Sequence, residues 1–432
     1  MFSNSVTYQE AIQFLYGLRL FGAKFGLENT FKLAALADNP QEILRFIHVA
    51  GTNGKGSTCA MLESIYRAAG LRVGLFTSPH LVSFRERIQI NRQLISENEV
   101  VRLVEELQPL LKQFSEKHHP TFFEVVTVMA LKFFAEQKCD LVIWETGLGG
   151  RLDATNIVTP LASVITNIAF DHQQWLGDTL GKIAFEKAGI IKNRIPAVMA
   201  IEEPEALAVI QKIAKEKNAP LTQIRNSEFR IRNSELSLSG EHQKQNAALA
   251  LATVGILQKQ IPVSEKQIRD GLQKVNWPGR LQLIEKSNGR KILLDGAHNV
   301  AGAKMLADAI EKNFSGLKRT IILGILQDKD WQHICEILAP MAEKILTVPV
   351  SSERTANPNE LAEACRKANP SAIIQACDSL NEALQKTSTD NFAVLTGSLY
   401  LVGEALELLE LSPAAKSERV LNEWISHVVD LK

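Results

Sequence analysis

The sequence has 432 residues, and its 48 lysines and arginines balance 48 aspartates and glutamates, giving a formal net charge of zero. At about 150 residues per domain, this length predicts two or three domains with sizeable cores and excludes a small disulfide scaffold. Hydrophobic residues at 45% and charged residues at 22% are typical of soluble folded chains. Because the balanced charge gives no global attraction to nucleic acid or anionic lipid, we expect neither as a partner.

Cysteine usage and the N-terminus bear on the compartment. The five cysteines are widely spread and never occur as Cys-x-x-Cys, which favours free thiols in a reducing environment. The first twenty residues contain no basic segment leading into an apolar core, and no apolar stretch approaches the length of a membrane span. We therefore expect a cytoplasmic protein with no membrane association.

The predicted elements begin with two helical segments, at residues 8–20 and 27–37. From Arg45 onward, short apolar β-rich runs alternate with amphipathic stretches, the pattern of a mainly parallel sheet flanked by helices. A capping box of Ser96 with Glu99 is predicted to open the second of the intervening helices. The predicted strands are 46–50, 73–77, 141–145, 162–166 and 197–200, and the helices between them include 58–69 and 97–116.

The pattern breaks at residues 276–279, Asn-Trp-Pro-Gly, and a hairpin of 281–285 with 291–294 is predicted next, turning at Asn288-Gly289. Alternation then restarts, with strands near 320–323, 344–348, 372–376 and 392–396. We therefore predict an α/β protein with a larger N-terminal domain (1–278) and a smaller, Rossmann-like C-terminal α/β domain (279–432).

The strongest local signal is a glycine-rich loop that directly follows the strand 46–50 and precedes a helix. In this order, glycine backbone N–H groups can curl around phosphate oxygens, the lysine supplies a cation, and the serine can ligate magnesium. The loop differs from the standard phosphate loop because it is shorter and a glycine separates lysine from serine; the alternative is a glycine turn without a ligand. The predicted phosphate-binding residues of this ATPase-like domain are Gly51, Thr52, Asn53, Gly54, Lys55, Gly56 and Ser57.

Further polar groups follow other strands of the N-terminal domain. Glu145 ends an apolar strand and is a candidate metal ligand, and the loop after it is rich in glycine. His172, beside Asp171, follows the next strand, and Lys187 lies on a predicted helix. Carboxyl ends of strands form the ligand crevice of open α/β sheets. A capping or supporting histidine and a surface lysine ion pair remain the alternatives for His172 and Lys187.

The C-terminal domain repeats this arrangement. An apolar strand runs out into Asp295 and His298 before a helix, and Arg280 lies just past the predicted domain boundary. Together with Asn246, on a predicted helix of the first domain, these residues could close over a nucleotide bound at the phosphate loop. Roles as helix caps or hinge residues are the alternatives.

Seven motifs follow one another along nearly the whole chain: HVAGTNGKGS (48–57), FTSPHL (76–81) with RERI (85–88), GLGGRLDATN (147–156), DH (171–172), EKAG (186–189), WPGR (277–280) and LDGAHN (294–299). In sequence and in order, they resemble the motifs of the folylpolyglutamate synthase and dihydrofolate synthase family, a branch of the Mur ligase superfamily.

This resemblance implies an ATP-dependent amide ligase that joins L-glutamate to a carboxylate of a pteridine substrate through an acyl phosphate. It implies that Lys55 holds the β- and γ-phosphates and that Ser57, Ser78 and Glu145 serve the magnesium of ATP. It also implies a second magnesium held by His172 and by a carbamylated Lys187. Lysine can serve in this way because carbamylation converts an ammonium into a carboxylate-like ligand.

The family's other contacts map onto residues of both domains. Asn246, Arg280 and Asp295 match ATP contacts, and His298 and Ser398 match positions near the glutamate site. Phe122, Phe123 and Asp153 are the expected substrate contacts beside the pterin pocket, although core packing explains the two phenylalanines equally well.

Three alternatives compete with a bifunctional ligase. A cell-wall precursor ligase would carry a whole domain ahead of the phosphate loop, whereas about fifty residues precede Lys55 here. A phosphate-loop ATPase without ligase chemistry would not need the second domain's Asp295 and His298. A synthase that only extends glutamate tails remains an open alternative, although the amino-acid sequences of the loops 149–156 and 171–177 resemble the bifunctional form more closely. The expected small-molecule partners are dihydropteroate, reduced folates and L-glutamate, and we expect a monomer.

Overall fold

The structure, a computed structural model, describes residues 6–22, 26–225, 236–412 and Glu418. The α-helices are Tyr8–Gly17 (α1), Glu28–Leu36 (α2), Lys55–Ala68 (α3), Glu97–Leu111 (α4), Phe122–Glu136 (α5), Gln173–Leu176 (α6), Leu180–Ala188 (α7), Pro204–Glu216 (α8), Glu241–Leu257 (α9), Glu265–Gln273 (α10), Val300–Asn313 (α11), Trp331–Leu338 (α12), Pro358–Ala368 (α13), Leu380–Lys386 (α14) and Leu399–Leu408 (α15). The strands are Phe46–Ala50 (β1), Val73–Phe76 (β2), Ile88–Ile90 (β3), Gln93–Leu94 (β4), Leu141–Glu145 (β5), Ala162–Ile165 (β6), Ala197–Met199 (β7), Leu221–Gln223 (β8), Gln282–Glu285 (β9), Lys291–Leu294 (β10), Thr320–Leu323 (β11), Lys344–Thr347 (β12), Ile373–Ala376 (β13) and Phe392–Thr396 (β14).

The larger sheet has eight strands in the order β4-β3-β2-β5-β1-β6-β7-β8. Strands β2, β5, β1, β6, β7 and β8 pair in parallel in that order. Strands β3 and β4 extend the sheet beyond β2 with antiparallel pairing. Strand β1 lies between β5 and β6, and in register Val49 pairs with Glu145 while Ala50 pairs with Ile165. The carboxyl ends of these three central strands therefore meet at one edge of the sheet.

Helices cover both faces of this sheet, because its central strands are apolar on both sides. All five residues of β1 and all five of β5 are buried. Helix α3 packs between the sheet and helices α9 and α10, so ten of its residues are buried. Helices α1 and α2 pack against α4 and α5 on the other face, sharing one hydrophobic core with them.

The second sheet has six strands in the order β13-β12-β11-β14-β10-β9, all parallel except β9, which forms the predicted hairpin with β10. Here too the central strands β11, β14 and β10 are neighbours, so the loops after them lie side by side. The α/β fold class with a larger N-terminal domain and a smaller C-terminal domain is confirmed. The boundary between residues 278 and 279 stays a prediction; it lies between α10 and β9, and the predicted domain ends at 1–5 and 413–432, Glu418 apart, fall outside the described residues.

Three local predictions need correction. The helix predicted over residues 97–116 ends at Leu111. The first long helix begins at Lys55 and not at Thr58, because Gly54 adopts a positive φ of 84° and starts the helix inside the loop. The capping box is incomplete, since Ser96 accepts from the Glu99 amide while the Glu99 carboxylate pairs with Arg102. Within the described ranges, no helix has both the length and the apolar character needed to cross a membrane.

Candidate active site

The phosphate loop leaves the buried strand β1 and turns directly into helix α3. A side chain at Gly54 would collide with the Asn246 amide, and one at Gly51 would collide with the Thr166 hydroxyl. Both glycines have positive φ, so this path requires glycine for space and for conformation. The helix N-terminus and its unpaired amides are thereby presented at the end of the sheet, the geometry that binds phosphate.

Two lysines converge on this loop from different helices. Lys55 Nζ donates to the carbonyls of Gly51 at 3.1 Å and Thr52 at 3.2 Å, and Lys187 Nζ donates to the same Gly51 carbonyl at 2.8 Å. Burial and the nearby charge of Lys55 lower the pKa of Lys187 to about 7. A large share of Lys187 is therefore an uncharged amine near neutral pH.

Glu145 ends β5 beside the same loop. Its carboxylate is buried, with 3% exposure, and accepts the Ser78 backbone N–H at 3.0 Å. Burial raises the pKa of Glu145 to about 7, although the charge of Lys55 opposes the shift. A second cation beside this carboxylate would stabilise its ionised form.

Asp171, after β6, lies at the junction of the two domains. Lys329 of the C-terminal domain contacts its Oδ1 at 2.6 Å, and Asn299 donates to its Oδ2 at 3.1 Å. His298 Nε2 lies 3.6 Å from the same Oδ2. Burial alone would raise the pKa of Asp171, but His298, His172 and Lys329 together lower it well below its ordinary value. Asp171 is thus a carboxylate shared by both domains.

His172 and Asn53 join this junction. The His172 Nε2 is 3.5 Å from Lys329 Nζ, and burial lowers the pKa of His172 to about 3, leaving a neutral imidazole. The amides of Asn53, in the phosphate loop, and Asn299 exchange two hydrogen bonds, of 3.2 and 3.0 Å. The phosphate loop is therefore bonded directly to the C-terminal domain.

On the C-terminal side, Asp295 organises the turn after β10. Its carboxylate accepts the backbone N–H groups of Leu281 and Ala297, each at 2.9 Å. The Arg280 guanidinium donates to the Gly279 carbonyl at 3.3 Å, and burial lowers its pKa while the charges of Asp295 and Glu145 oppose the shift. Ser398 caps helix α15 through the Tyr400 amide.

Phe122 and Phe123 line the same site and form what we call the aromatic wall. Phe122 packs edge-on against Phe84, with ring centroids 6.3 Å apart, and the Arg87 guanidinium lies 5.4 Å over its ring. The Phe123 ring lies close to Gly147, where a Cβ would come within 2.6 Å of it. Asp153 is buried and accepts the amides of Leu148, at 2.7 Å, and Thr155, at 3.0 Å, so it shapes this glycine loop.

These groups surround one cavity of about 650 Å³ between the domains. All the candidate site residues except Gly51 line it, and Gly51 contributes the carbonyl that both lysines contact. The cavity wall thus includes Thr52, Asn53, Gly54, Lys55, Gly56, Ser57, Ser78, Phe122, Phe123, Glu145, Asp153, His172, Lys187, Asn246, Arg280, Asp295, His298 and Ser398. The structure brings the candidates together, and their individual roles stay predictions.

Comparisons with known proteins cover both domains. A family model for the Mur ligase middle domain matches residues 49–254, and one for the Mur ligase glutamate ligase domain matches residues 279–399. A dihydrofolate synthase/folylpolyglutamate synthase of Bacillus subtilis (strain 168) is 37% identical over 428 residues, which cover 93% of this chain and 99% of that protein. The chain belongs to the dihydrofolate synthase/folylpolyglutamate synthase family of Mur ligases.

Solved structures of this family agree with the fold. A folylpolyglutamate synthase of Thermotoga maritima superposes with a TM-score of 0.83 at 36% identity, covering 96% of this chain and 99% of that one. A folylpolyglutamate synthase of Mycobacterium tuberculosis, complexed with ADP and AMPPCP, gives a TM-score of 0.86 at 29% identity, covering 94% and 100%. As a member of this ligase family, the chain is an ATP-dependent amide ligase.

The donor set at the phosphate loop of this Mur ligase fits magnesium. Among the described residues, no three His, Cys, Asp or Glu side chains form a metal cluster. Magnesium, however, commonly takes only one or two protein carboxylates and completes its shell with phosphate oxygens and water. The buried Glu145 carboxylate, whose pKa is raised by burial, and the buried Ser57 hydroxyl supply hard oxygen ligands of this kind.

One residue of the junction, Lys329, lies outside all the motifs and candidate residues of the sequence analysis. Lys329 follows β11 and is 8% exposed at its side chain, where it contacts Asp171. Its position after an apolar strand, in the same kind of location as Asp295, is a signal that the sequence contains. The flanking Asp328 and Asp330 make the segment resemble a solvated charge cluster, which conceals that signal.

Proposed function

We propose that this ligase joins L-glutamate to the carboxylate of dihydropteroate and to the γ-carboxylate of reduced folates, through an acyl phosphate formed in the interdomain cavity. The observation that carries the proposal is the single cavity in which the phosphate loop, Glu145 and Lys187 face Asp295, His298 and Lys329 of the other domain. The name of the Bacillus subtilis relative, dihydrofolate synthase/folylpolyglutamate synthase, supports the proposal that this chain makes both glutamate additions. A synthase that only extends tails is the alternative.

The first step activates the substrate carboxylate, which is a poor electrophile as an anion. A carboxylate oxygen attacks the γ-phosphorus of ATP, the bond to the bridging oxygen breaks, and ADP leaves. Lys55, at the N-terminus of α3, is in position to neutralise the charge that develops on the transferred phosphoryl group. Asn246, Arg280 and Asp295 would contact the rest of the nucleotide.

The second step forms the amide. The amine of glutamate attacks the acyl carbon, and the tetrahedral intermediate expels phosphate. His298 and Ser398, on the C-terminal side of the cavity, are the proposed contacts of the incoming glutamate. Because the two domains supply opposite walls, their contact at Asp171 aligns the amine with the acyl phosphate.

Two magnesium ions complete this proposal. Ser57, Ser78 and Glu145 would hold the ion that accompanies ATP, and His172 with a carbamylated Lys187 would hold the second. The ions supply neutralisation of phosphate charge. The lowered pKa of Lys187 supports carbamylation, since the uncharged amine adds to carbon dioxide and releases a proton.

The pterin would lie between the aromatic wall and the glycine loop, near Phe122, Phe123 and Asp153. The chemistry fixes the reacting carboxylate at the γ-phosphate. A reduced folate is longer than dihydropteroate by one glutamate, so its pterin has to bind further from the phosphate loop. A monomeric state and cytoplasmic residence remain further predictions.

The deciding experiment incubates purified protein with ATP, magnesium, L-glutamate and either dihydropteroate or tetrahydrofolate. We expect phosphate release that depends on both the pteridine substrate and glutamate, and products heavier by one glutamate in each case. Extension of tetrahydrofolate alone, at saturating dihydropteroate, would establish the tail-extending alternative. Hydrolysis of ATP that is independent of both co-substrates would contradict the ligase reaction.

A separate experiment tests the role of Lys187. We expect Lys187→Ala to be nearly inactive and partly rescued by a small carboxylate such as acetate or formate, because a free carboxylate can replace the carbamate. Lys182→Ala, on the same helix but 63% exposed at its side chain, is the matched control and should retain full activity. An unmodified lysine remote from any metal, in a crystal with nucleotide and magnesium bound, would refute this assignment.

A further inference from the structure

Glu418, the last residue that the structure describes, contacts residues of the N-terminal domain. It follows the second domain's helix α15 in the sequence, yet its carboxylate lies against the N-terminal domain and is 8% exposed. Its Oε2 accepts the Tyr8 hydroxyl at 3.0 Å, the Ser83 hydroxyl at 2.8 Å and the Phe84 amide at 2.6 Å. Nothing in the reaction proposed above uses this buried carboxylate.

The backbone of Glu418 makes a further bond to the segment that contains Ser83 and Phe84. His80 Nε2 donates to the Glu418 carbonyl at 2.9 Å, and His80 Nδ1 accepts from Arg87 Nε at 2.8 Å. A neutral imidazole with its proton on Nε2 satisfies both partners at once.

These bonds end at the cavity. Arg87 is 4% exposed, lines the cavity, and lies over the ring of Phe122. An arginine side chain has considerable rotamer entropy, so a partner that fixes its Nε restricts the direction in which the other guanidinium nitrogens point. His80 is that partner, and His80 is in turn fixed by Glu418.

We propose that Glu418 is a positioning residue for the pteridine-substrate side of the cavity, holding residues 80–84 and, through His80, the guanidinium of Arg87 beside Phe122. The segment after the second domain's last helix thereby contributes to the substrate pocket of the first domain, through residues different from those that meet at Asp171. The identity of the substrate rests on the proposed function. The contacts that carry the inference do not depend on that identity.

The test compares Glu418→Ala with Glu418→Gln by steady-state kinetics. In Glu418→Ala we expect the KM for the pteridine substrate to rise about tenfold, while the KM for ATP and kcat stay within about twofold. Glu418→Gln keeps an oxygen acceptor and should recover most of the wild-type KM. The matched control is Glu285→Ala, which removes a carboxylate of the second domain that is 62% exposed, and it should change neither KM.

A double-mutant cycle separates positioning from general support. The side-chain bonds of Glu418 hold its backbone carbonyl against His80, so Glu418→Ala should act on Arg87 by releasing that carbonyl. Adding Glu418→Ala to Arg87→Ala should then change the pteridine KM by less than about twofold. The proposal would be overturned if the effects of the two substitutions on the pteridine KM multiply in the double variant. It would also be overturned if Glu418→Ala raises the KM for the pteridine substrate and the KM for ATP equally. Should Glu418→Ala fail to fold, Tyr8→Phe removes one of the bonds to the carboxylate and should raise the pteridine KM by about two- to threefold; no change in that KM would again overturn the proposal.

Amide hydrogen exchange gives a readout independent of the substrate. Loss of the Glu418 carboxylate should speed exchange of the Phe84 amide at least tenfold in the enzyme without ligands. Unchanged protection of this amide would refute the proposal that Glu418 holds residues 80–84. A wild-type protein that uses neither pteridine substrate would refute the proposed function instead. The two failures are therefore distinguishable.

Discussion

The two domains build their shares of the cavity in different ways. In the N-terminal domain, Gly54, Lys55 and Glu145 stand at the ends of adjacent buried strands, and the backbone of β1, β5 and α3 fixes their positions. In the C-terminal domain, Asn299 and Lys329 also follow strands, but their side chains contact Asn53 and Asp171 of the other domain. The positions of the N-terminal site residues are thus determined within one sheet, whereas the positions of Asn299 and Lys329 depend on the contact between the two domains.

This difference separates two kinds of defect. Loss of a group on the phosphate loop should remove charge stabilisation from the phosphoryl transfer itself. Loss of a contact between the domains should leave nucleotide binding largely intact and disturb the alignment of the two reactants. Variants on either side of the junction can therefore test whether the comparison holds.

The largest effect is expected for Lys55→Ala on the phosphate loop. We expect turnover to fall at least a hundredfold, on the order of the loss seen when one strong electrostatic contact to a transition state is removed, with the fold retained by circular dichroism. Lys215→Ala, a lysine in the last turn of α8, serves as the control. Turnover close to normal in a folded Lys55→Ala protein would show that the loop is not the phosphate site.

A smaller loss is expected for Lys329→Ala at the domain junction. Removing a hydrogen bond to a buried carboxylate costs about 2 kcal/mol, which corresponds to roughly a 30-fold fall in kcat if it acts on the aligned state. Nucleotide affinity, measured by titration calorimetry, should change less than about threefold, and Lys318→Ala, 87% exposed at its side chain, should resemble wild type. A loss of nucleotide binding as large as the loss of kcat would erase the distinction between the domains.

How much the sequence could predict follows the same division. Strands β1 and β5 begin and end where predicted, because a buried parallel strand is a continuous apolar run with clear limits. The phosphate loop was recognisable because all its groups are neighbours in the chain. Groups that follow β5, β6 and β10 were predicted to meet at strand ends, and the structure places them in one cavity.

The sequence did not predict the shortest strands or the contacts between distant segments. Strands β3, β4 and β8 have only two or three residues and contain no continuous apolar run of the kind that indicated the equally short β7. Lys329 and Glu418 owe their importance to partners more than 150 positions away, Asp171 and Ser83 respectively. No local pattern distinguishes such residues from exposed charges, so only the tertiary structure identifies them.

The aromatic wall gives a prediction of intermediate size. Phe123 is half-buried and faces the glycine loop, so Phe123→Leu should alter the ratio of the dihydropteroate and tetrahydrofolate activities by about tenfold, equivalent to about 1.4 kcal/mol. Phe122 is more deeply packed, and Phe122→Leu should change this ratio less while lowering the free energy of unfolding by about 1 kcal/mol. Equal loss of both activities in the two variants would mean that these rings serve packing alone.

The smallest effect concerns two histidines, one under the phosphate loop and one on the surface of the C-terminal domain. His48, in β1, is buried, and burial together with the charge of Lys192 lowers its pKa to about 3. His333, after Asp330, is exposed, and its hydrogen bond to that carboxylate raises its pKa. Below the ordinary pKa of about 6.5, His48 binds a proton in the unfolded state and stays neutral in the folded state. His48 therefore makes the free energy of unfolding decrease as the pH falls. His333 acts in the opposite direction, since its folded state binds the proton more tightly than the unfolded state.

Chemical unfolding of wild type, His48→Gln and His333→Gln at about pH 7.5 and about pH 6 measures both contributions. The linkage relation gives a loss of about 0.8 kcal/mol from His48 over this interval, and His48→Gln should lose that much less than wild type. His333→Gln should lose slightly more than wild type, because it lacks a group whose protonation favours the folded state. Glutamine at position 48 can still bond to the Thr155 hydroxyl, which the imidazole contacts at 2.9 Å, so the comparison isolates the proton from the hydrogen bond. Identical pH dependence in wild type and His48→Gln would show that His48 takes up its proton in the folded state as readily as in the unfolded state, and strand β1 would then be more open to water than the structure indicates.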